Sequence, residues 1–216
     1  MLGAMSSEHT PYLMLALMVL FVATILFLSA REKRQQRQAW RIFATRQGWT
    51  FSQASDALEV QGLYREQQLS LLTEKYGTGK GARFVTVLRL ELSDALPQEL
   101  QLETETVGDK FLKLFGKVDE EVGDAALDSA LSLRDLSPRT RELLLTPSLR
   151  EPLLRAHRHY HRLSIIAGML EVAKEGVPTA HEDLEALVAP ALALADALHL
   201  STGQALPPHS RRRTQS

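Results

Sequence analysis

No cysteine occurs anywhere in the 216 residues. This removes disulfides, thiolate zinc sites and cysteine nucleophiles together, and it accords with a reducing compartment without requiring one. Charge is missing as well: no Asp, Glu, Lys or Arg lies between Glu8 and Arg31, and no base precedes Arg31. Two catalytic patterns are also absent, the G-x-S-x-G of serine hydrolases and the H-E-x-x-H of zinc proteases. There is no internal repeat. The net charge of −1 conceals an uneven distribution. Residues 31–49 carry a net +5, residues 50–200 a net −8, and Arg211, Arg212 and Arg213 end the chain with +3. A body this acidic lacks the clustered bases that phosphate backbones require, which excludes a nucleic-acid partner.

What fills the uncharged stretch is apolar. From Tyr12 to Ala30 the only polar side chains are Tyr12, Thr24 and Ser29. Nineteen helical residues rise about 28 Å, close to the roughly 30 Å of a hydrocarbon core. Leu13, Met14, Leu15, Leu17, Met18, Val19, Leu20, Phe21, Val22, Ile25, Leu26, Phe27 and Leu28 together cover every direction, so no face is left for water. Thr24 can return its hydroxyl to a carbonyl one turn back. The alternative is a cleaved signal peptide, with Leu28-Ser29-Ala30 as the cleavage region. Against it stand the lack of a basic n-region and the length of the run. The expected layout is a short extracytoplasmic N-terminus over 1–11, a transmembrane helix over 12–30 and a basic juxtamembrane helix over 31–48. A soluble domain follows over 49–200, with a disordered basic tail over 201–216. Because the bases follow the span, the positive-inside rule puts the domain in the cytoplasm, at a bacterial inner membrane.

Beyond the span, Trp40, Phe43 and Ala44 recur at helical spacing, and Trp40 is expected to pack on the domain, away from the bilayer. The basic flank could also hold anionic headgroups, although its role in topology accounts for the same residues. Gly48 is the expected C-cap. The period then changes to two. Leu58–Gln61, Leu69–Leu71, Phe84–Leu92 and Leu100–Glu103 alternate apolar with polar residues, which predicts an antiparallel sheet with one buried and one wet face. Tyr64-Arg65-Glu66 and the glycine-rich 77–81 segment are the turns, and Pro97 precedes the fourth strand. A short helix over Asp109–Phe115, closed by Gly116, precedes a strand at Leu131–Leu133. Ser137-Pro138 and Thr146-Pro147 each read as a capping hydroxyl followed by proline at the first helical position. Leu163–Ile165 and Leu170–Val172 flank Gly168 as a hairpin. Thr179 to Glu182 reads as a capping box that opens a helix, which Pro190 should kink or split near Ala189. The fold class is α+β, a transmembrane helix followed by an antiparallel sheet packed with helices.

Four segments invite chemical readings, and each has a plainer one. Gly77-Thr78-Gly79-Lys80-Gly81 lacks the Ser or Thr after lysine and the following helix that a phosphate loop needs, so it reads as a turn. His157, His159 and His161 would share one face on a strand and could hold zinc. Arg155, Arg158 and Arg162 oppose a divalent ion there, and the segment reads as a surface transition. Asp119, Glu120, Glu121, Asp124 and Asp128 fail the calcium-loop pattern at its sixth and twelfth positions, which leaves Asp124 as a helix opener. His181, Glu182 and Asp183 suit the first turn of a helix. No catalytic, cofactor-binding or metal-ligating residue is assigned.

Several short stretches carry a resemblance: Ala44-Thr45-Arg46-Gln47-Gly48-Trp49-Thr50-Phe51, Gly62-Leu63-Tyr64, Gly123-Asp124-Ala125-Ala126-Leu127-Asp128 and Leu143 through Arg150. With the apolar anchor and its basic exit, their order resembles uncharacterised bacterial single-pass membrane-tethered proteins with a domain of unknown function. The resemblance spans about 40–175. It implies the tethered α+β layout and carries no activity.

The function expected on these grounds is that of a non-enzymatic, membrane-tethered interaction or scaffold module. Its partners are the lipid bilayer and either another protein or a second copy. Two alternatives stand beside it: a membrane-anchored enzyme with a non-local, metal-assisted site near His157, and an exported domain released by signal cleavage.

Overall fold

A computed structural model describes residues 10–55, 57–77, 81–92, 101–104, 120–134 and 136–201. The short N-terminus, the 109–116 helix, the tip of the glycine-rich turn and the basic tail lie outside these residues, as do Pro97 and Asp119.

The apolar run and the basic flank form one helix, α1 (Thr10–Gln47), about 57 Å long. Every described side chain from Tyr12 to Gln35 is exposed, including fourteen large apolar ones between Tyr12 and Leu28. Thr24 Oγ1 donates to the Leu20 carbonyl at 2.8 Å, as the sequence predicts. Near the end of the helix Ala39, Trp40, Phe43 and Ala44 are buried in the same core as the sheet.

Eight strands follow: β1 (Thr50–Ala54), β2 (Ala57–Tyr64), β3 (Gln67–Tyr76), β4 (Arg83–Glu91), β5 (Gln101–Thr104), β6 (Leu131–Arg134), β7 (Arg162–Ile166) and β8 (Met169–Glu175). The helices are α2 (Ala125–Ala130), α3 (Pro138–Leu145), α4 (Pro147–His159) and α5 (His181–Ser201). The strands make one sheet in the order β1-β2-β3-β4-β8-β7-β5-β6, and every pairing is antiparallel. The α+β class expected from the alternation is therefore the class observed. β1 to β4 form a meander. The chain then crosses to the far side, and the β7–β8 hairpin returns to close the space between β4 and β5.

The register shows why the alternation was so regular. One row across all eight strands reads Thr50, Gln61, Ser70, Arg89, Glu171, Ser164, Glu103, Ser132, polar throughout. A neighbouring row reads Leu69, Leu90, Leu170, Ile165, Leu102, Leu133, and all six are buried. Helix α5 is part of the core built on this inner face, with Leu184, Leu187, Val188, Ala191, Leu194 and Leu198 among its members. On the outer face Val85, Val87 and Ala173 form a second, small cluster with Leu72.

Three details depart from expectation. β1 has a single apolar residue, Phe51, facing inward, so no alternation announces it. Ser137 caps α3 through Thr140 N at 3.1 Å, whereas the Thr146 hydroxyl makes no cap bond to α4 and instead donates to the Leu143 carbonyl at 2.6 Å, closing α3. Helix α5 opens at His181 and runs through Pro190 unsplit. Tyr160 accounts for its continuity: its hydroxyl accepts from Ala191 N at 3.1 Å and donates to the Leu187 carbonyl at 2.5 Å. These are the two groups that a regular turn pairs directly, so the phenol bridges the turn that proline disturbs.

Candidate functional site

The described residues draw attention to the junction where α1 enters the domain. Gly48 has φ +70°, the left-handed conformation that ends helices. Its amide donates to Thr45 O at 3.2 Å, and the next amide, Trp49 N, donates to Ala44 O at 2.8 Å. These two bonds are the Schellman pair, and the accompanying apolar contact is the edge-to-face packing of Phe43 on Trp49 at 5.6 Å. Trp49 then locks onto β2, where its Nε1 donates to the Leu63 carbonyl at 3.2 Å. The end of the anchor helix is thus fastened to the sheet by backbone, ring and indole together.

Above this joint, α1 and the sheet enclose a groove of about 240 Å³. Ser29, Glu32, Lys33, Gln36 and Arg37 form the helical wall. Gln53, Leu58, Thr73 and Phe84 from β1 to β4, with Val177, form the opposite wall. Thr73 spends its hydroxyl on the Leu58 amide at 2.9 Å, and Gln36 Nε2 lies 3.5 Å from Glu32 Oε1.

The other polar clusters serve the fold. Arg65 Nε and Nη2 clasp the two oxygens of Asp196 at 2.6 and 3.0 Å, and the Tyr64 hydroxyl adds a third bond at 3.0 Å. This ties the β2–β3 turn to α5. Arg89 bridges Glu171 and Glu74 at 2.7 and 2.8 Å, and Arg162 reaches the second Glu171 oxygen at 2.7 Å. That chain of part-buried pairs crosses four strands of the outer face. Asp124 caps α2 through Ala126 N and Leu127 N and is held by Arg150 at 2.7 and 3.2 Å. The Arg150 guanidinium and these amides hold its carboxyl down at about 2. Asp128 accepts from Val122 N and Gly123 N, so Asp124 and Asp128 of the candidate calcium segment are structural.

The three histidines are not gathered. His157 and His159 lie on α4, where a spacing of two residues separates them by about 200°. His161 lies beyond the helix end. Lys174 Nζ is 3.1 Å from His159 Nε2, an ammonium where a metal would need the ring. Burial, then the adjacent cation, lowers both pKa values: Arg158 for His157 and Lys174 for His159. Among the described residues no group of three or more His, Asp or Glu could hold a metal ion. Sequence reasoning placed Asp124, Arg150, Trp49 and Gly62 in separate stretches; the fold joins them as Asp124 with Arg150 and Trp49 with Gly62. Tyr160 and the Arg65–Asp196 clasp gave no local signal.

No protein-family model matches the chain, and no curated protein sequence is similar to it. Among solved structures, the chain is similar to the crystal structure of the mycobacterial trehalose monomycolate transport factor A, TtfA. The TM-score is 0.50 and the identity 11%, over 81% of this chain and 99% of that one. At that identity the likeness is one of fold: a sheet packed with helices, here preceded by an apolar helix compatible with membrane anchoring.

Proposed function

We propose that the protein is a single-pass membrane protein whose C-terminal domain lies in the cytoplasm as a non-enzymatic interaction module, held at a fixed position beside the bilayer. One observation carries the reading. The helix that is long and apolar enough to span runs without a break into the domain core, where Trp40 and Phe43 have no exposed surface. A flexible tether would let the domain wander; a continuous helix locked at Gly48 and Trp49 fixes its distance and rotation. From Ala30 to Ala39, the first buried residue, the stem rises roughly 14 Å. Such a mount suits a module that must meet a neighbour in a set geometry at the membrane surface. The structural neighbour is named a transport factor, a designation that specifies no reaction. The orientation rests on the bases from Arg31 to Arg46, which follow the span with none before it.

Two measurements test the reading. A reporter active only in the cytoplasm, fused after Gln204, is expected to be active; silence there would reverse the orientation. In membranes, site-specific cross-linking of the full chain is expected to yield a discrete adduct with a protein partner or a second copy. A short flexible Gly-Ser linker placed between Arg34 and Gln35 is expected to weaken that adduct at unchanged protein level. An adduct indifferent to the linker would refute the fixed-mount reading.

A further inference from the structure

We infer that the groove between α1 and the sheet binds one anionic phospholipid, taken from the leaflet in which the apolar span ends. The inference rests on the reading that α1 crosses the bilayer. Position supports it first. Ser29, at the groove, lies in the last turn of the uncharged run, and Lys33 and Arg37 lie one and two turns further on. The groove therefore spans the level at which hydrocarbon gives way to headgroups.

Chemistry supports it next. Lys33 and Arg37 are four residues apart, so both cations share one face of α1 and line the same wall. A phosphodiester suits such a pair, with the guanidinium offering two parallel donors. The facing wall is apolar at Leu58, Phe84 and Val177. Phe84 is informative. The other apolar side chains that the strands turn to the inner face are buried or half-buried, whereas Phe84 is 45% exposed. The inner face thus stays uncovered where it borders the groove and the membrane surface. Glu32 opposes an anion, and among the described lining residues Lys33 and Arg37 stand against it. A volume of about 240 Å³ is below the roughly 300–1,000 Å³ of pockets that enclose a whole small molecule. It suits a phosphoglycerol headgroup and the first methylenes, while the chains remain in the bilayer.

The test uses the full chain in phosphatidylcholine nanodiscs carrying a minor fraction of phosphatidylglycerol with a photoreactive group near the glycerol, the labelled peptides being mapped by mass spectrometry. Label on peptides from 12–30 reports insertion of the span. Label on the Phe84 and Val177 peptides is the expected result. The pair Lys33→Gln and Arg37→Gln should reduce that second label by roughly tenfold or more, at about fivefold per base. The pair Arg31→Gln and Arg34→Gln removes equal charge outside the groove and should change it by less than about twofold. Label on the span without label on the sheet wall would overturn the inference and leave the spanning reading intact. So would equal losses from both pairs, or equal labelling by a phosphatidylcholine probe. Absence of label from the span as well would sink both.

Discussion

The indole of Trp49 occupies the space above Gly62 where any other residue would carry its side chain. A Cβ there would fall under 3.0 Å from the indole Cδ1, Cγ and Nε1, closer than real Cβ atoms come. Gly62→Ala must therefore push Trp49 off β2, breaking its bond to Leu63 and disturbing the contact with Phe43. Overpacking of this kind costs about 1–3 kcal/mol. Denaturant melts of the full chain in detergent, followed by tryptophan fluorescence, should show that loss. Gly81→Ala is the control, because among the described residues nothing beyond its chain neighbours lies within 4 Å of a Cβ there. Equal stability of the two variants would mean that the indole moves at no cost and is no lock.

Removing one oxygen should test the bridge through α5. Tyr160→Phe keeps the ring but leaves Ala191 N–H and Leu187 C=O without the hydroxyl, inside a buried contact. An unsatisfied buried polar group costs about 1–3 kcal/mol. The phenol is strongly buried, which raises its pKa, so it remains a donor across the ordinary pH range. If the hydroxyl serves the turn that Pro190 disturbs, Pro190→Ala combined with Tyr160→Phe should cost less than the two single changes added together. Strict additivity would separate the tyrosine from the proline.

The sheet was legible in the sequence because its outer face is wet. Polar rows such as Gln61, Ser70 and Arg89 alternate with Val60, Leu71 and Leu88, and that contrast is what a period of two records. β1 escaped notice for the same reason, since an exposed edge strand needs only Phe51 to hold it. Strand order was not legible. The β7–β8 hairpin enters between β4 and β5 from 70 residues downstream, and nothing in Leu163–Ile165 says which strands it will meet. The polar contacts failed in the same way: Arg65 and Asp196 stand 131 residues apart, and neither has a local pattern. The groove was half visible. Its basic wall is contiguous in the sequence, whereas the facing wall is drawn from four strands and a loop.

Acid should find the Asp124–Arg150 clasp. The Asp124 carboxyl titrates at about 2 in the fold against an ordinary 3.8. A depressed folded pKa means that its contribution is complete above about pH 4 and declines as the pH falls towards 2. Arg150→Gln removes the largest cause of the depression while the capping amides of Ala126 and Leu127 remain. The variant should therefore lose less stability than the parent chain between pH 4 and pH 2, and start from a lower value at pH 6. Parallel pH profiles for the two proteins would show that the clasp does not set the acid response.

The β2–β3 turn allows local strain and tertiary pairing to be weighed against each other. Arg65 and Glu66 both have positive φ, +50° and +68°, which suits a two-residue hairpin turn but disfavours residues with a Cβ. Glu66 forms no ion pair among those observed, so Glu66→Gly should relieve the strain and stabilise the chain by about 0.5–1 kcal/mol. Asparagine is also the better residue for the first position, and turn chemistry alone would favour Arg65→Asn. The clasp argues the opposite. Arg65 and Asp196 side chains are only 11% and 25% exposed, and asparagine cannot span to Asp196, which would keep the Tyr64 hydroxyl alone. Leaving one partner of a partly buried pair costs more than a turn residue gains, so Arg65→Asn should destabilise by about 1–3 kcal/mol. Thermal melts of the two single variants decide between these effects. If Arg65→Asn stabilised the chain as Glu66→Gly is expected to, the strained turn would be set by the sheet alone, and the bond between the β2–β3 turn and α5 would be incidental.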